Sequence, residues 1–95
     1  MAIAVIATLN VAAGKEAEFE SAMLGLAAEV RKNEPGNQLY TLVKDDAGTY
    51  IVMELYENEE ALTAHGKSDH FKAAGAKFAG VMAGAPDIKR MQVIG

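Results

Sequence analysis

What most constrains this chain is how the spacing of its apolar residues changes along its length. Ile3, Val5, Ala7 and Leu9 alternate with Ala2, Ala4, Ile6 and Thr8, so both faces of the segment are largely apolar, as in a strand covered on two sides. Over residues 15–32 the period lengthens: Phe19, Met23, Leu26 and Val30 fall on one stripe of an amphipathic helix. Glu16, Glu18 and Glu20 near its start and Arg31 and Lys32 at its end complement the helix dipole, and Pro35-Gly36 stops it. Residues 39–43 and 50–56 are β-branched and aromatic around the polar turn 44–48, which predicts an antiparallel hairpin. Asn58 caps a short helix from residue 59 to about 65. Ser68 or Asp69 caps another to about residue 82, with Phe71, Ala74, Phe78 and Val81 as its buried stripe. Gly84 and Pro86 break that pattern, and residues 88–94 supply a last strand.

Strand, helix, strand, strand, helix, strand is the split βαβ order, a ferredoxin-like α+β arrangement with one extra short helix. No linker or repeat divides residues 1–95, which read as a single domain. Such a sheet carries helices on one face only. Ile51, Met53 and Leu55 point one way and Tyr50, Val52, Glu54 and Tyr56 the other, so neither face of the third strand is wholly suited to water. With aromatics at 6% and apolar residues at 51%, the core is built mainly from Ala, Val, Ile, Leu and Met, and it is thin for 95 residues. A homodimer closed sheet to sheet is therefore expected.

A net charge of −4, with scattered basic residues, gives no footprint for nucleic acid. The apolar residues 2–9 are too few to span a bilayer and lack a signal-peptide layout, so no membrane association and a cytoplasmic location are expected. The absence of cysteine removes disulfides, thiolate nucleophiles, iron–sulfur clusters and cysteine-based zinc sites.

Short motifs follow one another along the chain: Glu34-Pro35-Gly36-Asn37, Leu39-Tyr40, Glu54-Leu55-Tyr56-Glu57, Ala64-His65 and His70-Phe71-Lys72. In this order and spacing the chain resembles the antibiotic biosynthesis monooxygenase family of dimeric α/β barrels. The resemblance implies cofactor-independent oxygenation of quinols or electron-rich aromatics in some members, and haem degradation or isomerisation of a small phosphorylated sugar-like signal in others. Aligned from Gly14, the three positions that haem-degrading relatives fill with Asn, Trp and His fall on Ala7, His65 and Gly75, so haem chemistry is not expected. Asn10, at the exit of the first strand, does not restore that set.

His65 and His70 are the only histidines, and histidine is the side chain whose ordinary ionisation lies near neutrality, so they are the candidate bases. In one continuous helix they would lie about 140° apart, whereas a break at Gly66 lets both face one cavity. The competing structural reading makes each a helix cap or a backbone hydrogen-bond partner. A metal site is not expected, because the spacing is not i, i+4 and no third soft ligand is near in sequence. Gly66-Lys67-Ser68 fails as a phosphate loop, since Ala61 stands where the leading glycine belongs.

Glu54 interrupts an apolar strand, where an ionised carboxylate must be compensated. An ion pair with Arg90 or Lys89 of the last strand, within the chain or across the dimer, is the expected compensation, and a catalytic proton acceptor is the alternative. Tyr40, Tyr56, Asn10 and Phe71 are the candidate substrate-binding residues, with Tyr50 a further tyrosine for the same cavity. The primary functional expectation is a cofactor-free monooxygenase in which His65 or His70 deprotonates a phenol held by Tyr40 and Tyr56. Two rivals remain: an isomerase of a small phosphorylated carbonyl compound, with Lys67 and Lys72 as its anion site, and a non-catalytic dimeric ligand-binding or stress-response module.

Overall fold

In the computed structural model, which describes residues 1–95, the alternating segments pair as strands and the longer-period segments pack across them as helices. The order is β1 (Ile3–Leu9), α1 (Glu16–Asn33), β2 (Asn37–Lys44), β3 (Tyr50–Tyr56), α2 (Glu59–Lys67), α3 (Asp69–Phe78) and β4 (Asp87–Gln92). The strands form an open four-stranded sheet in the order β2-β3-β1-β4, with every neighbouring pair antiparallel. This is the ferredoxin-like arrangement expected of the sequence. Within one chain the sheet does not close into a barrel.

One face of the sheet packs on the helices. Ile3, Val5 and Ala7 of β1, Tyr40 of β2, and Tyr50, Val52, Glu54 and Tyr56 of β3 are buried there. The stripe of α1 meets them: Phe19, Met23, Leu26, Ala27 and Val30 are buried, and the Phe19 and Tyr50 rings lie 4.8 Å apart. Phe19, Val30 and Tyr56 are fully enclosed; complete burial of an apolar side chain of this size contributes roughly 1.5–3 kcal/mol. The Arg31 guanidinium donates to the Tyr40 carbonyl at 2.7 Å and ties the end of α1 to β2. On the opposite face Ile6, Ile51, Met53 and Leu55 are only partly covered, and β4 is exposed along its whole length.

Three sequence expectations need correction. The helix does not break at Gly66: α2 runs through Lys67, and Ser68 is the joint. Its hydroxyl donates to the His65 carbonyl at 2.7 Å and accepts from the Phe71 amide at 3.2 Å, so one residue ends α2 and caps α3. Nor does α3 reach Met82. It stops at Phe78, Gly80 turns the chain with φ +85, and Val11 and Met82 then bridge. Finally, Phe71 is 42% exposed rather than buried, leaving Ala74 as the buried residue of α3. No helix is long and apolar enough to cross a membrane.

Candidate active site

Between the sheet and the helices lies a cavity of about 520 Å³. Its walls are mostly apolar, formed by Val5, Phe19, Met23, Leu26 and Val52 among others, with Phe71, Phe78, Met82, Pro86 and Ile88 also lining it. Four polar side chains face it: Tyr40, Glu54, His65 and Arg90. A pocket of this size and character suits a small, largely apolar ligand oriented by a few polar groups.

His65 is held from two sides. Its ring lies among aromatic neighbours, with centroids 4.9 Å from Phe71, 5.3 Å from Tyr40 and 5.5 Å from Tyr56. Its Nδ1 meets the Glu34 carboxylate, 2.9 Å from Oε2 and 3.1 Å from Oε1. An ionised carboxylate only accepts, so the ring donates Nδ1–H to it. No buried side-chain nitrogen or oxygen lacks a partner. Nε2, which makes no hydrogen bond in the protein, is therefore open rather than sealed, on a residue that lines the cavity. The result is an imidazole anchored through Nδ1, with its second nitrogen unbonded within the protein.

Glu34 reaches His65 because of the turn it begins. It ends α1 in an extended conformation, its amide bonded to the Val30 carbonyl at 3.0 Å, and Pro35 keeps the helix from continuing. Gly36 then passes so close to α2 that a Cβ would lie 2.6 Å from that of Ala61, while the Gly36 carbonyl accepts from the Glu57 amide at 2.9 Å. This contact presses the turn against the helix that carries His65. His70 Nε2 also hydrogen-bonds Glu34 Oε2, reaching it from α3 across the Ser68 joint.

The two histidines and Glu34 thus converge, with one donor atom from each lying within 4.8 Å of the others. Glu34, remote in sequence, stands beside both histidines and offers a hard carboxylate oxygen, not the soft third ligand whose absence was expected. Each imidazole is directed at a carboxylate oxygen, so the three groups satisfy one another as a hydrogen-bonded triad.

Within the chain Glu54 is not paired with Arg90 or Lys89. It accepts from the Tyr56 hydroxyl at 2.6 Å, while Arg90 pairs with Glu59 on the surface. Glu54 and Arg90 both oppose Val5 across the sheet, one on each side, so β1 separates them. Burial pushes the Glu54 carboxyl above the usual carboxylate range, against the opposing pull of the Tyr56 hydroxyl and His65. Burial likewise raises the Tyr40 and Tyr56 hydroxyls, reinforced by the Glu54 charge, so both stay protonated. Tyr56 is fully enclosed beneath His65 and supports Glu54 instead of lining the cavity.

His70 borders a separate groove between α1 and α3, not the cavity. Asn10 also lies away from the cavity, donating to the Ala85 carbonyl at 3.2 Å and bracing the loop before β4. Of the residues singled out in the sequence, the structure brings Tyr40, Glu54, His65 and Phe71 to the cavity and His70 to the far side of Glu34. Lys67 and Lys72 do not line it. Glu34 was quoted in a motif but not chosen as a site residue. A glutamate before Pro-Gly at a helix end looks like ordinary surface, and only the partners that bury it show its use.

A model of the antibiotic biosynthesis monooxygenase family matches residues 2–77, and the chain belongs to that family. A crystal structure from Caulobacter crescentus CB15 that carries the same family name is 47% identical, with a TM-score of 0.95 over 99% of this chain and 91% of that one. A Nitrosomonas europaea protein with the same family name, 18% identical, shares the fold with a TM-score of 0.92 over 98% of this chain and 90% of that one. A Mycobacterium tuberculosis protein does so at 19% identity, with a TM-score of 0.91 over 100% of this chain and 97% of that one. No curated protein matches. Family and neighbours together support a monooxygenase-like function in general terms.

Proposed function

We propose that this protein is a cofactor-independent monooxygenase acting on quinols or related electron-rich phenols. The observation that carries the reading is His65, anchored by Glu34 through Nδ1, lining an apolar cavity and leaving Nε2 without a partner in the protein. A phenol bound there gives its proton to Nε2, the Tyr40 hydroxyl donates a hydrogen bond to the ring oxygens, and the apolar walls keep bulk water from the anion. The phenolate then reduces dioxygen. A hydroquinone that ends as a hydroxyquinone takes up one oxygen atom and releases the other as water, so it supplies all the electrons and needs no outside reductant.

The assembly belongs to the same reading. Ile6, Ile51, Met53 and Leu55 form a partly covered apolar face that a second copy would bury, closing two sheets into a homodimer. Sedimentation at low micromolar concentration should give about twice the chain mass, and a compact monomer would exclude the sheet-to-sheet dimer. The isomerase reading lacks support, because neither lysine expected to hold a phosphate reaches the cavity. Oxygen uptake with a panel of quinols, without added flavin or metal, tests the main reading. Uptake tracking quinol loss is expected, and binding without uptake would leave the ligand-binding module in its place.

A further inference from the structure

The triad has two ends, and they open on different spaces. His65 lines the cavity and bonds Glu34 through Nδ1, leaving Nε2 without a partner in the protein. His70 borders the groove between α1 and α3 and bonds the same carboxylate through Nε2. Its Nδ1 makes no hydrogen bond in the protein and, since no buried polar atom is left without a partner, it too is open. One carboxylate, nearly buried, therefore faces two imidazoles whose ring centroids are 6.5 Å apart.

From this geometry we infer that Glu34 stabilises one positive charge shared between two imidazoles, and that His70 is the proton outlet paired with His65. A single buried carboxylate offsets one imidazolium well, whereas a second adds like-charge repulsion across a short, poorly solvated gap. When His65 Nε2 takes a proton from a phenol in the cavity and becomes cationic, His70 releases one from Nδ1 into the groove. The balance is closed: the phenol becomes phenolate, a proton leaves to water, and the triad keeps its charge. No proton has to pass through the carboxylate. His70 is thus a positioning residue for charge, not a group that touches substrate. The step rests on the reading of His65 as base, but the charge sharing itself is a property of the free protein.

Other titratable groups lie near: Tyr40 from β2 and Glu54 and Tyr56 from β3 feel the Glu34 charge, and Glu29 from α1 and Asp69 and Lys77 from α3 line the groove that His70 borders. All remain in the variants below, so differences between variants report on the pair. Glu29 is already engaged by the Asn33 amide at 2.8 Å.

Because the chain has only two histidines, both imidazoles can be followed through a pH titration by ¹⁵N–¹H NMR. In the unaltered protein the two rings should titrate as a coupled pair, each reporting both steps. In His70→Gln, which keeps an amide donor for Glu34 but cannot ionise, His65 should titrate in one step displaced to higher pH. Independent single steps in the unaltered protein, or a His65 step unmoved by His70→Gln, would overturn the inference. The first of these outcomes needs no variant to fold. With an oxidisable quinol, the acid limb of the rate should also move to higher pH in His70→Gln, whereas a purely structural His70 would lower the rate without moving that limb. Coupled titration without oxygen uptake would sink the monooxygenase reading and leave the charge sharing standing.

Discussion

Strand β3 carries two different proteins on its two sides. Tyr50, Val52, Glu54 and Tyr56 face the helices and are buried, whereas Ile51, Met53 and Leu55 face outward and are only partly covered. The buried side includes a carboxylate and two tyrosine hydroxyls; the half-open side is wholly apolar. A strand that only needed a core would place its polar residues outward. The inversion ties the inner face to a polar site and leaves the outer face to the proposed sheet-to-sheet contact.

The largest expected effect breaks the inner side alone. His65→Ala should lower turnover on a quinol roughly 10²–10⁴-fold, the usual contribution of a positioned base, with the sedimentation coefficient unchanged. Turnover and pH profile both unaltered would pass the base role to Glu54 or to spontaneous ionisation of the bound phenol. The next breaks the outer side alone. Met53→Glu puts a carboxylate into the proposed sheet-to-sheet contact, where an unpaired charge costs several kcal/mol, so dimer dissociation should become easier by roughly 10²-fold or more. An unchanged dimer constant by sedimentation would show that this face is not the interface.

A smaller effect tests whether the inner polar groups depend on one another. Tyr56→Phe removes the donor at 2.6 Å from Glu54 and leaves that buried carboxyl without its bond. A loss of about 1–3 kcal/mol in denaturant unfolding is expected. A neutral result would mean that water replaces the hydroxyl and that the enclosure of Tyr56 is not as tight as its burial indicates.

Much of this division was legible in the sequence, because strand alternation and the helical stripe are local patterns that packing then obeys. The α1 stripe, the β3 bounds and the inward set of β3 all follow from spacing. The break was expected at Gly66, because glycine is the stronger local breaker, yet it falls at Ser68, already an expected cap of α3, which satisfies backbone groups of both helices at once. The partner of Glu54 was misread because opposite charge suggested Arg90, and only the register shows β1 lying between them. Glu34 was missed for the same reason at longer range. It lies 31 residues from His65 and 36 from His70, so no local pattern announces the triad.

The smallest expected effect concerns the proton on Glu54 and sharpens the contrast between the two faces. Burial holds this carboxyl protonated to higher pH than an ordinary glutamate. Between the unfolded value of about 4.3 and the raised folded value, the folded chain therefore binds more protons than the unfolded one. The contribution of the group to stability is then most favourable below the unfolded value and is lost as pH climbs through the folded value. Glu54→Gln keeps an acceptor for the Tyr56 hydroxyl but cannot titrate, so its melting temperature should gain on the unaltered protein as pH rises through that window. Met53→Gln, the adjacent outward position, introduces the same side chain without removing a titrating group, so its difference from the unaltered protein should stay flat over the same range. Parallel, flat differences for both variants would mean that Glu54 ionises like a surface carboxylate, and that the inner face of β3 is as open to water as the outer one.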